Sequence, residues 1–175
     1  MLNKDEPDVG KDLMTHMRAK YGEARANAFA QRLQHLHRAG TEAGISFHPK
    51  RWIIATNSCH ELLELCSEKH PGLTDRVMRE MFRRYFEANE DVSTIEALCR
   101  IAVETGVPEA EARSALTSGQ YTAVVLQKCE DARQRHGVTG VPLFIIEKAD
   151  GAAVKFSGAQ STKFLVEQLR RAAQT

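Results

Sequence analysis

The 175 residues contain no C-x-x-C pair. That absence excludes a dithiol redox centre of the usual spacing. Four cysteines are present, Cys59, Cys66, Cys99 and Cys129, at intervals that match no zinc-site pattern. Nor do they suggest a disulfide framework. Cys59 and Cys66 lie two helical turns apart, about 10.5 Å of rise, beyond the Cα separation of about 7 Å that a disulfide spans. Four free thiols packed as small hydrophobes are therefore expected. Charge of one sign is also missing: Lys+Arg number 24 and Asp+Glu 23, for a net charge of +1. Such a balance argues against nucleic-acid binding and against a polybasic membrane surface. No apolar run approaches the ~20 residues of a membrane helix. The opening MLNKDEPDVGKD is acidic and polar, unlike a secretory signal peptide. As written, the chain is expected in the cytoplasm, with no nucleic-acid or membrane partner. Repeats, linkers and low-complexity tracts are absent too, and the length suits one domain over 1–175.

What is present is mostly helical pattern. A hydrophobic content of 42% supports a core. Over 23–43 the stripe Ala26, Phe29, Leu33 and Leu36 predicts an amphipathic helix closed by Gly44. A short extended piece, ISFHPKRWII, follows. Ser58 and Glu61 have capping-box spacing ahead of LLELC, and Pro71 stops that helix. The next segment, LTDRVMREMFRRYFEANE, offers Val77, Met81, Phe82 and Tyr85 as its apolar face and Thr74 as its N-cap. Ser93 and Glu96 form a second capping-box pattern before a helix ending at Gly106. Pro108 stands at a favoured helix start, and a longer helix runs from about Tyr121 to His136.

The period then changes. PLFIIE is a compact apolar run, ADG a turn signal and AAVKFS an alternating run, so 142–157 predicts a β-hairpin. Ser161 or Thr162 caps a last helix, KFLVEQLRRAA. The plan is thus a mainly helical stretch over about 8–136, then a loop, hairpin and helix over 137–175. A lone hairpin is marginal in water, and the preceding sequence offers little more than ISF and WII as further strand.

Seven histidines provide no catalytic or metal motif. His35 and His37 are two apart and diverge on a helix. His60 adjoins Cys59, and adjacent helical positions diverge as well. Carboxylate pairs such as Glu61 with Glu64 fit solvated faces. GVTG follows a helix and precedes a strand, the wrong order for a phosphate loop.

Val141-Pro142 is the most informative dipeptide. Proline donates no N–H to a ladder and belongs at a strand's first residue or on an edge. An X-Pro bond also adopts the cis form at modest cost. A loop so built exposes the main chain of Val141 at the lip of the sheet, where an extended peptide or a thiol compound pairs strand-fashion. A loop proline that only starts a strand is the plain alternative.

The order of segments resembles a known family. GVTGVPLFII followed by FSGAQSTKFLVEQL is similar to the C-terminal half of DsbA-like thioredoxin-fold proteins, in particular the FrnE-type branch, where a G-V-x-G-V-P loop opens a strand and S-G-A-Q leads into the final helix. MRAKYG (17–22) resembles the branch's first insertion segment. ATNSCHELL (55–63) matches its helix start at Thr56, His60 and Leu62, and 81–107 is similar to its F-x-x-Y-F…L-x-x-x-A-x-x-x-G-L stretch. The resemblance implies an α/β, thioredoxin-like fold of DsbA type, with a large helical insertion, a C-terminal β-β-α unit, and the fold's first β-α unit with its C-x-x-C absent from this sequence.

It implies thiol–disulfide exchange as the family activity, and Gly140, Val141, Pro142, Ala159 and Gln160 as the substrate-binding residues. None of Cys59, Cys66, Cys99 and Cys129 replaces the dithiol by position, so no catalytic residue is assigned. Three functions stay open: a truncated or redox-inactive oxidoreductase, a binding or dimerisation module that pairs an open sheet edge with a second copy, and a glutathione-handling isomerase or kappa-class transferase relative. The expected partner is a peptide bearing a thiol or disulfide, or glutathione. No resident cofactor is expected outside the glutathione reading.

Overall fold

The computed structural model describes residues 10–173. Its elements are α1 (Leu13–Tyr21), α2 (Glu23–Glu42), α3 (Asn57–Lys69), a 3-10 turn (Pro71–Leu73), α4 (Thr74–Phe82) continued by a π-helical turn (Arg83–Glu87), α5 (Ile95–Thr105), α6 (Glu109–Ser118), α7 (Thr122–His136), β1 (Leu143–Glu147), β2 (Ala153–Ser157) and α8 (Thr162–Ala173). They form two compact units, one ending at Gln127 and one beginning at Lys128, with the boundary inside α7. No helix among the described residues is long and apolar enough to cross a membrane.

In the first unit, α3, α4, α5 and α6 pack around Leu62, Leu65, Cys66, Val77, Leu98, Ile101 and Ala102, all but sealed from solvent. Burial of such side chains is the main favourable term in folding. Asp12 caps α1, its carboxylate accepting from the Thr15 amide at 2.9 Å. The extended piece after α2 forms no strand of its own. It contributes a single antiparallel bridge, Asp12 to Trp52, flanked by the Gly10 N–H to Ile53 carbonyl bond at 2.8 Å.

Several predicted boundaries hold. Gly44, Gly106 and Gly137 have positive φ at the ends of α2, α5 and α7, and Pro71 ends α3. The predicted caps of α3, α4 and α5 do not. α3 starts at Asn57 with Thr56 before it and no side-chain cap, so Ser58 lies inside the helix. The carboxylate of Glu61, instead of reaching back to Ser58, is buried and accepts from the Thr122 hydroxyl at the start of α7. Thr94, not Ser93, caps α5, accepting from the Ala97 amide at 3.2 Å. Ser93 is held by Asp91, whose carboxylate takes its amide at 2.9 Å. Thr74 is the first residue of α4, following directly on the 3-10 turn.

The predicted face of α4 is half right. Val77 and Met81 are buried, but Phe82 is 55% exposed. The π turn, marked by the Ala88 N–H to Arg83 carbonyl bond at 3.1 Å, departs from a straight 3.6-residue period. It leaves Arg84 buried and Tyr85 half-buried, the Tyr85 hydroxyl donating to the Trp52 carbonyl at 2.8 Å. Leu36 of the α2 stripe is likewise exposed, while Ala26 is fully buried.

In the second unit the hairpin forms as expected. β1 and β2 are antiparallel, with Phe144 opposite Phe156 and Ile146 opposite Val154. Asp150 and Gly151 make the turn: the Gly151 amide donates to Lys148, and the Ala152 amide to the Asp150 carboxylate. Phe144 and Phe156 stack at 5.1 Å, and Phe164 of α8 meets Phe156 edge-on at 5.1 Å. This aromatic triplet fixes α8 on one face of the hairpin.

Candidate functional site

The five residues singled out from the sequence meet at one end of the hairpin. β1 and β2 pair Leu143 with Ser157. One step outward, Pro142 therefore faces Gly158, and the Gly158 N–H donates to the Pro142 carbonyl at 2.9 Å. That bond ties the Gly140–Pro142 loop to the turn carrying Ala159 and Gln160. The Val141–Pro142 peptide bond is cis.

Gly158 has φ +83°, a left-handed conformation that side chains rarely adopt. This is why the turn has glycine after the strand. Gln160 steadies it, donating from Nε2 to the Ser157 carbonyl at 3.0 Å. Ser161 then caps α8, its hydroxyl accepting from the Phe164 amide at 3.2 Å. Of the two candidate caps, Ser161 serves and Thr162 is the first helical residue.

All five residues are exposed. Val141 is 86% exposed, extreme for a valine, and its N–H and C=O make no hydrogen bond among the described residues. An exposed apolar side chain beside a free donor and acceptor suits pairing with an extended chain. Gly158 was not among the expected site residues. The signal that finds it is register: once the hairpin is centred on the Asp-Gly turn, the residue facing Pro142 follows.

The thiols lie elsewhere. Cys59, Cys66 and Cys99 are buried in the helical unit, and Cys129 is half-buried on α7. Burial pushes the Cys59 thiol up to about 12, against a weaker opposing main-chain hydrogen bond, and its Sγ donates to the Val92 carbonyl at 3.4 Å. Burial likewise holds Cys66 at about 11 and raises Cys99. Thiolate is the reactive form, so these three are built for packing. With a neutral aromatic disulfide reagent under native conditions, we expect one thiol, Cys129, to react readily and the other three to react only on unfolding. Fast labelling of Cys59 or Cys66, located by mass spectrometry, contradicts this assignment. His60 is exposed while Cys59 is buried, so the two adjacent side chains diverge. No group of three or more His, Cys, Asp or Glu side chains is arranged to hold a metal among the described residues.

Residues 11–170 match the family model of the DSBA-like thioredoxin domain. The chain belongs to the DSBA-like thioredoxin domain family. Within this family, its structure is similar to the probable DsbA oxidoreductase SCO1869 of Streptomyces coelicolor, with a TM-score of 0.78 and 26% identity, over 94% of this chain and 68% of that one. It also shares its fold with the "putative protein disulfide isomerase" of Nitrosomonas europaea, at TM-score 0.62 and 18% identity, over 90% of this chain and 86% of that one. Among curated sequences, the uncharacterized protein YwbO of Bacillus subtilis (strain 168) is 32% identical over 66 residues. The match covers 38% of this chain and spans a third, 33%, of that relative's length. The DsbA-like fold here is mostly helical, with a two-stranded antiparallel sheet near the C-terminus.

Proposed function

We propose that this chain carries the substrate-holding surface of a DsbA-like thiol–disulfide oxidoreductase of the FrnE-type branch, and that its 175 residues perform no dithiol exchange by themselves. The observation that carries the reading is the exposed main chain of Val141, fixed beside Gln160 through the Pro142–Gly158 hydrogen bond. A substrate cysteine flanked by extended backbone pairs with the Val141 N–H and C=O, while the apolar Val141 side chain covers it. The attacking and resolving thiols of such an exchange have no counterpart among Cys59, Cys66, Cys99 and Cys129. In this reading the strand–C-x-x-C–helix unit that completes the enzyme is supplied by sequence outside these 175 residues.

A second reading has its own observation. The Gly158 N–H to Pro142 and Lys148 N–H to Ala152 bonds show that even-numbered residues of β1 bond across the hairpin. By antiparallel alternation, Leu143, Ile145 and Glu147 aim their main-chain groups away from β2. No strand among the described residues pairs with that edge. An edge with half-buried Leu143 and Ile145 takes a strand from a second copy or another chain, the binding or dimerisation alternative.

One titration separates the readings. Amide resonances are followed while an extended, cysteine-bearing peptide is added, in wild type and in Val141→Pro, which removes the N–H. The oxidoreductase reading expects shifts centred on Val141, Gly158 and Gln160, and binding weakened about tenfold by the variant, the loss of one main-chain donor in a short interface. Shifts centred on Ile145 and Glu147, unaffected by Val141→Pro, favour the edge reading. Reduced glutathione as sole ligand, saturating at Val141 and Gln160, favours the glutathione reading. Binding at none of these positions sinks the loop assignment. Because Val141 is 86% exposed, its replacement leaves the core untouched.

A further inference from the structure

The helical unit has a cleft of about 940 Å³ that the loop site does not use. Volumes of this order are typical of small-molecule sites. One wall is a single face of α4 and its π turn, where Asp75, Arg76, Arg79, Phe82, Arg83 and Phe86 recur at helical spacing. The opposite wall brings in Leu36, Ile45 and Phe47.

Polarity changes along this face. At its C-terminal end Phe82 and Phe86 lie 5.8 Å apart, and Phe47 meets Phe86 edge-on at 6.0 Å. Phe47 is seated by Gly40, where any Cβ would stand 2.6 Å from its ring. Phe82 is 55% exposed, Leu36 43% and Ile45 38%. Large apolar side chains clustered open to solvent, rather than scattered singly, mark a binding surface.

At the N-terminal end the side chains are charged, but they are not equivalent. Arg79 pairs with Asp75 at 2.7 Å and Arg83 with Glu80 at 2.7 Å. Glu87, toward the aromatic end, accepts the Ser46 amide at 3.2 Å. Arg76 donates only to the Glu104 main-chain carbonyl, at 3.3 Å, and no carboxylate among the described residues pairs with it. The cleft thus has an aromatic floor at one end and an unneutralised guanidinium at the other, separated by about 9 Å of helical rise to Phe82 and about 15 Å to Phe86 at 1.5 Å per residue.

We propose that this cleft binds an amphipathic carboxylate, its apolar body on Phe82 and Phe86 and its anionic head on Arg76. A guanidinium presents a planar fork of donors that matches a carboxylate. The apolar floor alone would accept a hydrocarbon of either charge, so the head group is where selectivity resides.

The test uses sodium dodecanoate, below its micellisation range, titrated calorimetrically into the full chain. Dodecanol and dodecyltrimethylammonium serve as head-group controls. Saturable one-site binding of dodecanoate is expected, with neither control binding comparably. Arg76→Gln should weaken it about tenfold, as for loss of a charge-assisted pair, and Phe82→Asp should weaken it further. Arg76 is exposed and outside the core, so its variant is expected to melt with wild type and keeps the test decisive even if Phe82→Asp unfolds. Absence of saturable binding, equal binding of the cationic control, or an unchanged affinity in Arg76→Gln overturns the proposal. So does sedimentation showing a dimer that Phe82→Asp dissociates, since the cleft would then be covered by a second copy.

Discussion

Leu98→Ala should cost the helical unit about 3–4 kcal/mol, whereas Phe82→Ala, which deletes more apolar surface, should cost less than about 1 kcal/mol. Leu98 is fully buried on α5 among Leu62, Leu65 and Ile101. Removing its branched end forfeits both transfer free energy and the contacts of neighbours that four packed helices prevent from collapsing into the void. Phe82 is 55% exposed, so its truncation leaves no closed cavity. Chemical denaturation followed by far-ultraviolet circular dichroism measures both, and Leu98→Ala should also lower the thermal midpoint by about 10 °C. Comparable losses in the two variants would mean that the α4 face is packed as its apolar residues suggest, and that Phe82 is not open to solvent.

That contrast marks where the sequence was legible. Core positions followed period in part: Val77, Met81 and Ala26 are buried where spacing puts them, while the α2 stripe opens to solvent by Leu36. Phe82 failed because it stands five positions after Val77, about 140° round a 3.6-residue helix and off the stripe that Val77 and Met81 share; the π turn that follows displaces only the residues from Arg83 on, and no residue type between Arg83 and Glu87 announces it. The two capping boxes failed for a different reason. Capping-box spacing is a local pattern, and at Glu61 a distant hydroxyl, Thr122, won its carboxylate; at Ser93 the near neighbour Asp91 won the hydroxyl and amide. Both are competitions among hydrogen bonds of similar strength, which spacing cannot decide.

The second unit was more legible because its signals are stereochemical. Asp150-Gly151 demands a turn, and Pro142 marks the strand start, one residue before β1 begins at Leu143. Once these are set, register leaves Pro142 facing Gly158. Register thus gathers at one end of the hairpin the five residues that the family resemblance names. The aromatic cleft was not legible at all. Its lining is gathered from α2, the 45–47 segment, the 3-10 turn and α4, and a helical face of mixed Phe and Arg looks like a solvated stripe until the opposite wall is known.

The ion cluster on α4 yields the other large effect, and its sign depends on which partner is removed. The Arg84 side chain is 9% exposed. It donates to Glu80 at 2.8 Å, to Glu90 at 3.4 Å and to Glu104, and these partners hold its guanidinium further toward the charged form. Taking away Glu80 and Glu104 leaves the buried charge with only the longer Glu90 contact, at 3.4 Å. The double variant Glu80→Gln, Glu104→Gln should therefore cost about 3–5 kcal/mol. Taking away the cation costs less: in Arg84→Met the apolar stem is kept, Glu80 retains its two bonds from Arg83 at 2.9 and 2.7 Å, and Glu90 and Glu104 are exposed enough to hydrate. That variant should lose about 1–2 kcal/mol. Acid titration gives an independent check. Hydrogen bonds from Arg83 first, then Arg84, outweigh burial and hold the Glu80 carboxyl at about 2, below its ordinary 4.5. The unfolded chain thus takes up this proton before the folded one does. The stability due to Glu80 is complete above pH 4.5 and is lost as pH falls through about 2. It amounts to no more than about 3 kcal/mol, reduced by the screening of exposed Arg83. Glu80→Gln should flatten that part of the stability profile while leaving the neutral limb parallel to wild type. A larger loss in Arg84→Met than in the double acid variant would show that the guanidinium holds the acids in place, rather than the acids compensating its burial.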